Sequence, residues 1–197
     1  MRYLGACLAL AMAFCMPVRA HAQDLCGLVN NFTDPMFELY ASPQSEKDMV
    51  EELMETAGID KSTVLVCRSA RQRSGNPFPE SLLLTTGSIV AIVLFPDETL
   101  DHISQESVRA MAAHELGHVS RRIAGDMQAQ FVTSEAELQN EMQADEFGAR
   151  LVGKAASIKA LEESLDYKKQ TVRPGAYESV RRPYELRRSA LEGLDIP

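Results

Sequence analysis

Two carboxylates stand where a helix should bury its apolar side. Leu138, Glu141, Ala144, Asp145, Gly148 and Val152 recur at the three- and four-residue spacing of one helical face. Apart from Glu141 and Asp145 this stripe is apolar or small, and so is built to pack against another element. A buried carboxylate without a partner costs several kcal/mol, roughly. Any fold that buries this face must therefore bring a cation or hydrogen-bond donors to it. Carboxylates four apart more often mark a solvated face, so the stripe acquires meaning only with a second element.

That element is Ala112-Ala113-His114-Glu115-Leu116-Gly117-His118-Val119. On a helix, His114 and His118 project from one side within reach of a single ion, and Glu115 is rotated away by one residue. This is the His-Glu-x-x-His arrangement of zinc peptidases: two neutral nitrogens for the metal and a base beside its water. A catalytic zinc takes three protein ligands and keeps a fourth position open. Glu141 supplies the third, and Asp145 can accept a hydrogen bond from a ligand imidazole and fix its tautomer. Glu135, Glu137 and Glu146 compete with Glu141. The first two fall in the opening turn, where acids answer the helix dipole, and Glu146 points off the stripe. His102 reads as a surface or capping residue. A metzincin would carry Gly and His where this chain has Arg121 and Ala124, which excludes that class.

The amino terminus is read separately. Arg2, the apolar run Leu4–Met16 and Ala20-His21-Ala22 have the layout of a secretory signal peptide. This gives residues 1–22 as signal and 23–197 as one metallopeptidase domain. Removing the signal takes Cys7 and Cys15 and leaves Cys26 with Cys67, an even pair expected to bridge in an oxidising compartment. With 20 Lys+Arg against 28 Asp+Glu, a net charge of -8 and no Trp, neither nucleic acid nor an anionic membrane is a suitable partner. No stretch after the signal is long and apolar enough for a membrane span. The sequence carries no signal for an oligomeric state.

Helical spacing from Ser45 to Ala57 stops at Gly58. Ser62–Arg68 reads as a strand. Leu82–Leu84 and Ser88–Phe95 read as a hairpin through Thr85-Thr86-Gly87. Helices are expected from near Ser104, from Ser134 (with Glu137 completing a capping box) to about Val152, over Ala155–Lys168 and over Tyr184–Leu191, with a loop at Pro174-Gly175. Strands precede most helices, which favours an α+β layer fold: a small sheet packed on the His-bearing helix and a second ligand-bearing helix. Ser88–Phe95 is expected at the sheet edge, where it would pair with extended substrate.

His114-Glu115-Leu116-Gly117-His118 followed by Glu141-Met142-Gln143-Ala144-Asp145 resembles the His-Glu-Leu-Gly-His and Glu-x-x-Ala-Asp pair of the gluzincin metallopeptidases. It is most similar to peptidase family M-forty-eight, the HtpX and prenyl-protein protease group, over Asn76 to Val152. Asn140-Glu141 is also similar to the thermolysin group. The resemblance implies a zincin-like fold and one zinc ion held by His114, His118 and Glu141. It implies Glu115 as catalytic acid and base, Asp145 behind a ligand, and a polypeptide as substrate. Two departures stand out. Family members with membrane spans around the site have no counterpart here, so the chain resembles a soluble, exported branch, periplasmic or secreted. Arg182-Pro183 replaces the His-Pro of many relatives, leaving Tyr184, Tyr177 and Arg187 as candidates to stabilise the oxyanion, against ordinary helix packing and surface charge. A zinc-stabilised envelope chaperone or assembly factor with little catalysis remains the alternative function.

Overall fold

The computed structural model describes residues 25–27, 39–70, 78–83, 89–125 and 134–196. The expected signal peptide lies outside them, as do the Thr85-Thr86-Gly87 turn and residue 76, where the family resemblance begins.

The sheet has four strands: β1 (Leu39–Ala41), β2 (Val64–Ser69), β3 (Glu80–Leu83) and β4 (Ala91–Pro96), in the order β1-β2-β4-β3. β1 is antiparallel to β2, β2 is parallel to β4, and β3 is antiparallel to β4. β4 is buried along its whole length. Successive side chains of a strand point to opposite faces. Ala91, Val93 and Phe95 accordingly join the helical core, and Ile92 and Leu94 join a smaller cluster with Leu39, Cys26 and Cys67. The cysteines are bonded to each other, with Cα atoms 5.9 Å apart. The bridge sits on the sheet face opposite the helical core, and closing its loop stabilises the fold by about 4 kcal/mol in the chain-entropy model.

Among the described residues six α-helices follow or interrupt the strands: α1 (Gln44–Ala57), α2 (Thr99–His102), α3 (Gln105–Ala124), α4 (Ser134–Val152), α5 (Lys154–Thr171) and α6 (Pro174–Glu192). The chain is α+β and mostly helical. α1 buries Val50, Leu53 and Met54 and ends at Gly58, whose φ of 69° suits glycine. α4 ends at Val152, as its periodicity indicates. Ser134 is itself helical, and the residues that would cap it lie outside those described.

Three expectations need correction. β4 lies between β2 and β3, so Ser88–Phe95 does not form the sheet edge; β3 does. Its two-sided burial is the reason, since an unbroken apolar run marks a strand covered on both faces. The Pro174-Gly175 loop is the first turn of α6, because a fixed φ and a missing N–H are harmless at a first helical position. That helix is also longer than expected and runs through Pro183.

Candidate metal centre

α3 is fixed before its histidines are reached. The Ser104 hydroxyl accepts from the backbone N–H of Ser107 at the helix start. Glu163 of α5 accepts from the Ser104 N–H at 2.8 Å and from its hydroxyl at 3.0 Å. Val108, Ala112, Leu116 and Val119 enter the core, leaving His114, Glu115 and His118 half-buried on another side. α4 crosses α3 there at very short range. A Cβ on Gly117 would stand 2.8 Å from the Cα of Ala144, and one on Gly148 would stand 3.0 Å from the backbone nitrogen of His114. Small residues on both helices let the backbones meet closely enough for Glu141 to reach the imidazoles. At the open end of the contact, Arg121 donates to the Asn140 side-chain oxygen at 2.8 Å.

The Nε2 atoms of His114 and His118 lie 3.1 Å apart. The Glu141 carboxylate is 3.4 Å from the first and 3.2 Å from the second. Zinc bonds of about 2.0–2.1 Å in tetrahedral arrangement require ligand atoms about 3.3 Å apart, so these residues fit a divalent ion as a donor set. They form the one group of this kind among the described residues. Charge agrees with geometry: with the imidazoles neutral, as metal ligands must be, Glu141 and Asp145 face the single positive charge of Arg187, and a cation answers the remaining negative charge.

Behind the ligands, His114 Nδ1 meets Asp145 Oδ1 at 2.8 Å. Arg187 of α6 donates to both oxygens of Asp145, at 2.7 and 2.8 Å, and its Nη1 lies 3.0 Å from Glu141. Burial works against ionisation of Asp145, but Arg187 and His114 outweigh it and hold the carboxyl below its ordinary range. Glu141 is likewise held far below that range against its burial, by both imidazoles and then by Arg187. Burial also disfavours a charged His114, yet Asp145 and Glu141 push its pKa up to about 9 in the metal-free protein. Metal binding must therefore displace a proton from this ring.

Glu115 takes no part in the triangle. Its Oε2 accepts a 2.6 Å hydrogen bond from the Ser81 hydroxyl on β3, which ties the edge strand to the site. A cavity of about 670 Å³ opens beside them, lined in part by His114, Glu115, Glu141 and Arg187. Tyr184 also lines it, while Tyr177 does not. Of the three oxyanion candidates, Arg187 is engaged with Asp145 and Glu141, and Tyr184 interacts with Ser164, which also lines the cavity. Among the competing acids, Glu146 pairs with Arg150 at 2.6 Å, Glu135 is exposed, and Glu137 lines the cavity outside the triangle. His102 is exposed and rests against the Tyr167 ring. Ser81 escaped sequence reasoning, because a lone serine in a short strand carries no periodic or motif signal.

In comparison with known proteins, no family model matches the chain, and no curated protein or solved structure matches it.

Proposed function

We propose that the protein is a zinc-dependent endopeptidase with a zincin-like fold, of the gluzincin kind, that hydrolyses extracytoplasmic polypeptides. The observation that carries this reading is the triangle of His114, His118 and Glu141, with edges of 3.1, 3.4 and 3.2 Å, beside an unligated Glu115 on a cavity wall. Two imidazoles and one carboxylate with an open fourth position are a catalytic donor set for zinc. Zinc held there supplies Lewis acidity toward the scissile carbonyl and brings the attacking water's pKa near neutrality.

The chain's own groups do the rest. Glu115 accepts the water's proton and returns it to the leaving amine, while Ser81 fixes one of its oxygens. Asp145 holds the proton of His114 on Nδ1 and leaves Nε2 free as a ligand. Arg187 keeps Asp145 ionised and restrains Glu141. β3 ends the sheet on the side of Glu115, so extended substrate adds to it as a further strand. The Cys26–Cys67 bridge supports an oxidising compartment, in keeping with export to a periplasm.

Glu115→Gln separates this reading from a zinc-stabilised chaperone. The variant should keep one zinc per chain and lose turnover of casein by about 10²–10⁴-fold, the range of general acid–base catalysis. Casein turnover equal to wild type would remove the peptidase mechanism. Survival of the cellular function in a strain carrying only this variant would favour the chaperone.

A further inference from the structure

The cavity beside the metal group contains a second cation that the proposed mechanism leaves unused. Along α5, Ser157, Ala160, Leu161, Ser164 and Lys168 share one helical face and line the cavity together. The first four are buried, and three of these are small, so the wall is hollow until Lys168. Opposite stand Phe78, just before β3, and Tyr184 on α6. The Lys168 ammonium lies 5.9 Å from the Phe78 ring centre and 5.7 Å from that of Tyr184. Cation–π contacts of this length hold a lysine head in place without consuming its hydrogen-bond donors.

Comparison with Arg187 sharpens the point. Both cations flank Tyr184, since the Arg187 guanidinium carbon is 5.4 Å from the same ring. Arg187 is bound to Asp145 and Glu141. Among the described residues Lys168 has no carboxylate within ion-pair distance. Glu80 and Glu141 act on it only through space, and burial with the nearby Arg187 charge lowers its pKa below the ordinary value. An ammonium held between two rings, part-buried and without a carboxylate in contact, is a receptor for an anion from outside the chain.

We infer that Lys168 reads a carboxylate on the substrate, so that the cavity selects a peptide with an acidic group close to the scissile bond. The inference rests on the peptidase reading and deepens it. The carboxylate belongs either to an Asp or Glu side chain or to a free carboxyl terminus, and both have the same chemistry.

The probes are short peptide hydroxamates, whose metal-binding head fixes their register. Three are compared, each carrying the variable residue at the first or second position after the hydroxamate: Glu with an amidated terminus, Gln with an amidated terminus, and Gln with a free terminus. Binding is measured by calorimetry to zinc-loaded wild type, Lys168→Met and Lys168→Arg. One of the two acidic probes should bind wild type about ten-fold or more tighter than the neutral one, as a charge-assisted contact provides. Lys168→Met should abolish that ratio, Lys168→Arg should retain part of it, and the acidic probe preferred identifies the source of the carboxylate. Equal binding of all three probes, or a preference that survives in a folded, zinc-loaded Lys168→Met, overturns the inference and leaves the peptidase reading standing. A wild type that takes up no zinc and binds no hydroxamate overturns both.

Discussion

Among the described residues charge is buried in two places, and only one of them is complete. Near the sheet, Arg68 on β2 is paired through Nε with both carboxylate oxygens of Glu46, at 3.1 and 3.2 Å, and lies 3.5 Å from Asp97. Tyr40 donates to Asp97 as well. Asp97 is 37% exposed, so water meets what Arg68 does not. At the α3–α4 contact, Asp145 is only 6% exposed and Arg187 only 12%, and once the imidazoles are neutral, as ligands are, Asp145 and Glu141 face the one guanidinium. A structural ion cluster closes upon itself or on solvent. A ligand site is left short of one charge type and faces a cavity.

This contrast can be broken by removing each arginine in turn. Arg187→Met leaves Asp145 buried without its bidentate partner, and the metal-free protein should lose about 3–5 kcal/mol by chemical denaturation. Zinc should restore part of that loss, because it supplies positive charge to the same cluster. Arg68→Met should destabilise with and without zinc alike. If chelator shifts both variants equally, the two clusters do not differ in the way argued.

A middle-sized effect is expected at the helix contact. The Cβ of Gly117→Ala would enter the space of the Ala144 backbone, which a side chain's flexibility cannot relieve. Overpacking of this kind costs about 1–3 kcal/mol. Pushing α4 away should also weaken zinc binding, and competition with a chromogenic chelator measures that directly. Unchanged zinc affinity in a destabilised Gly117→Ala would mean that close approach serves packing alone.

The last effect concerns pH. His114 has a raised pKa in the metal-free fold, about 9. Its contribution to stability is therefore fully present below the unfolded-state value of about 6.5 and disappears as pH rises through about 9. Thermal melts of chelator-treated protein should show a decline across this window that His114→Gln lacks. Zinc-loaded protein should not show it, since its ring carries no extra proton. Arg68, held above its ordinary value by Glu46, titrates nowhere near this range.

How much of this could be read beforehand depended on range along the chain. The His114–His118 pair and the Glu141–Asp145 stripe are helical periodicities, visible within a few residues; the start of α3 near Ser104 and both ends of α4 were also legible, whereas the end of α3 was not read from the sequence. The Arg187 clamp joins residues 42 apart and the Ser81 contact joins residues 34 apart. Neither pairing has a local signature, although Arg187 stood out as a charged candidate for another role. β4 was misplaced despite a usable clue: its unbroken apolar run is the mark of a central strand. Pro174 was misread because proline stops a helix in its interior yet starts one at its first position. Gly148 was read as part of the packing stripe and Gly117 as part of the motif, and only the α3–α4 crossing reveals how closely the backbone of the facing helix approaches each of them.

The central claim is that two helices meet so that His114, His118 and Glu141 hold one divalent ion. Anomalous diffraction at the zinc edge, on crystals grown from protein purified without chelator, tests it most directly. The account predicts a single strong peak about 2.0–2.2 Å from both Nε2 atoms and from a Glu141 oxygen. A zinc peak elsewhere, or none while Glu141 and both imidazoles keep their mutual contacts, would contradict it.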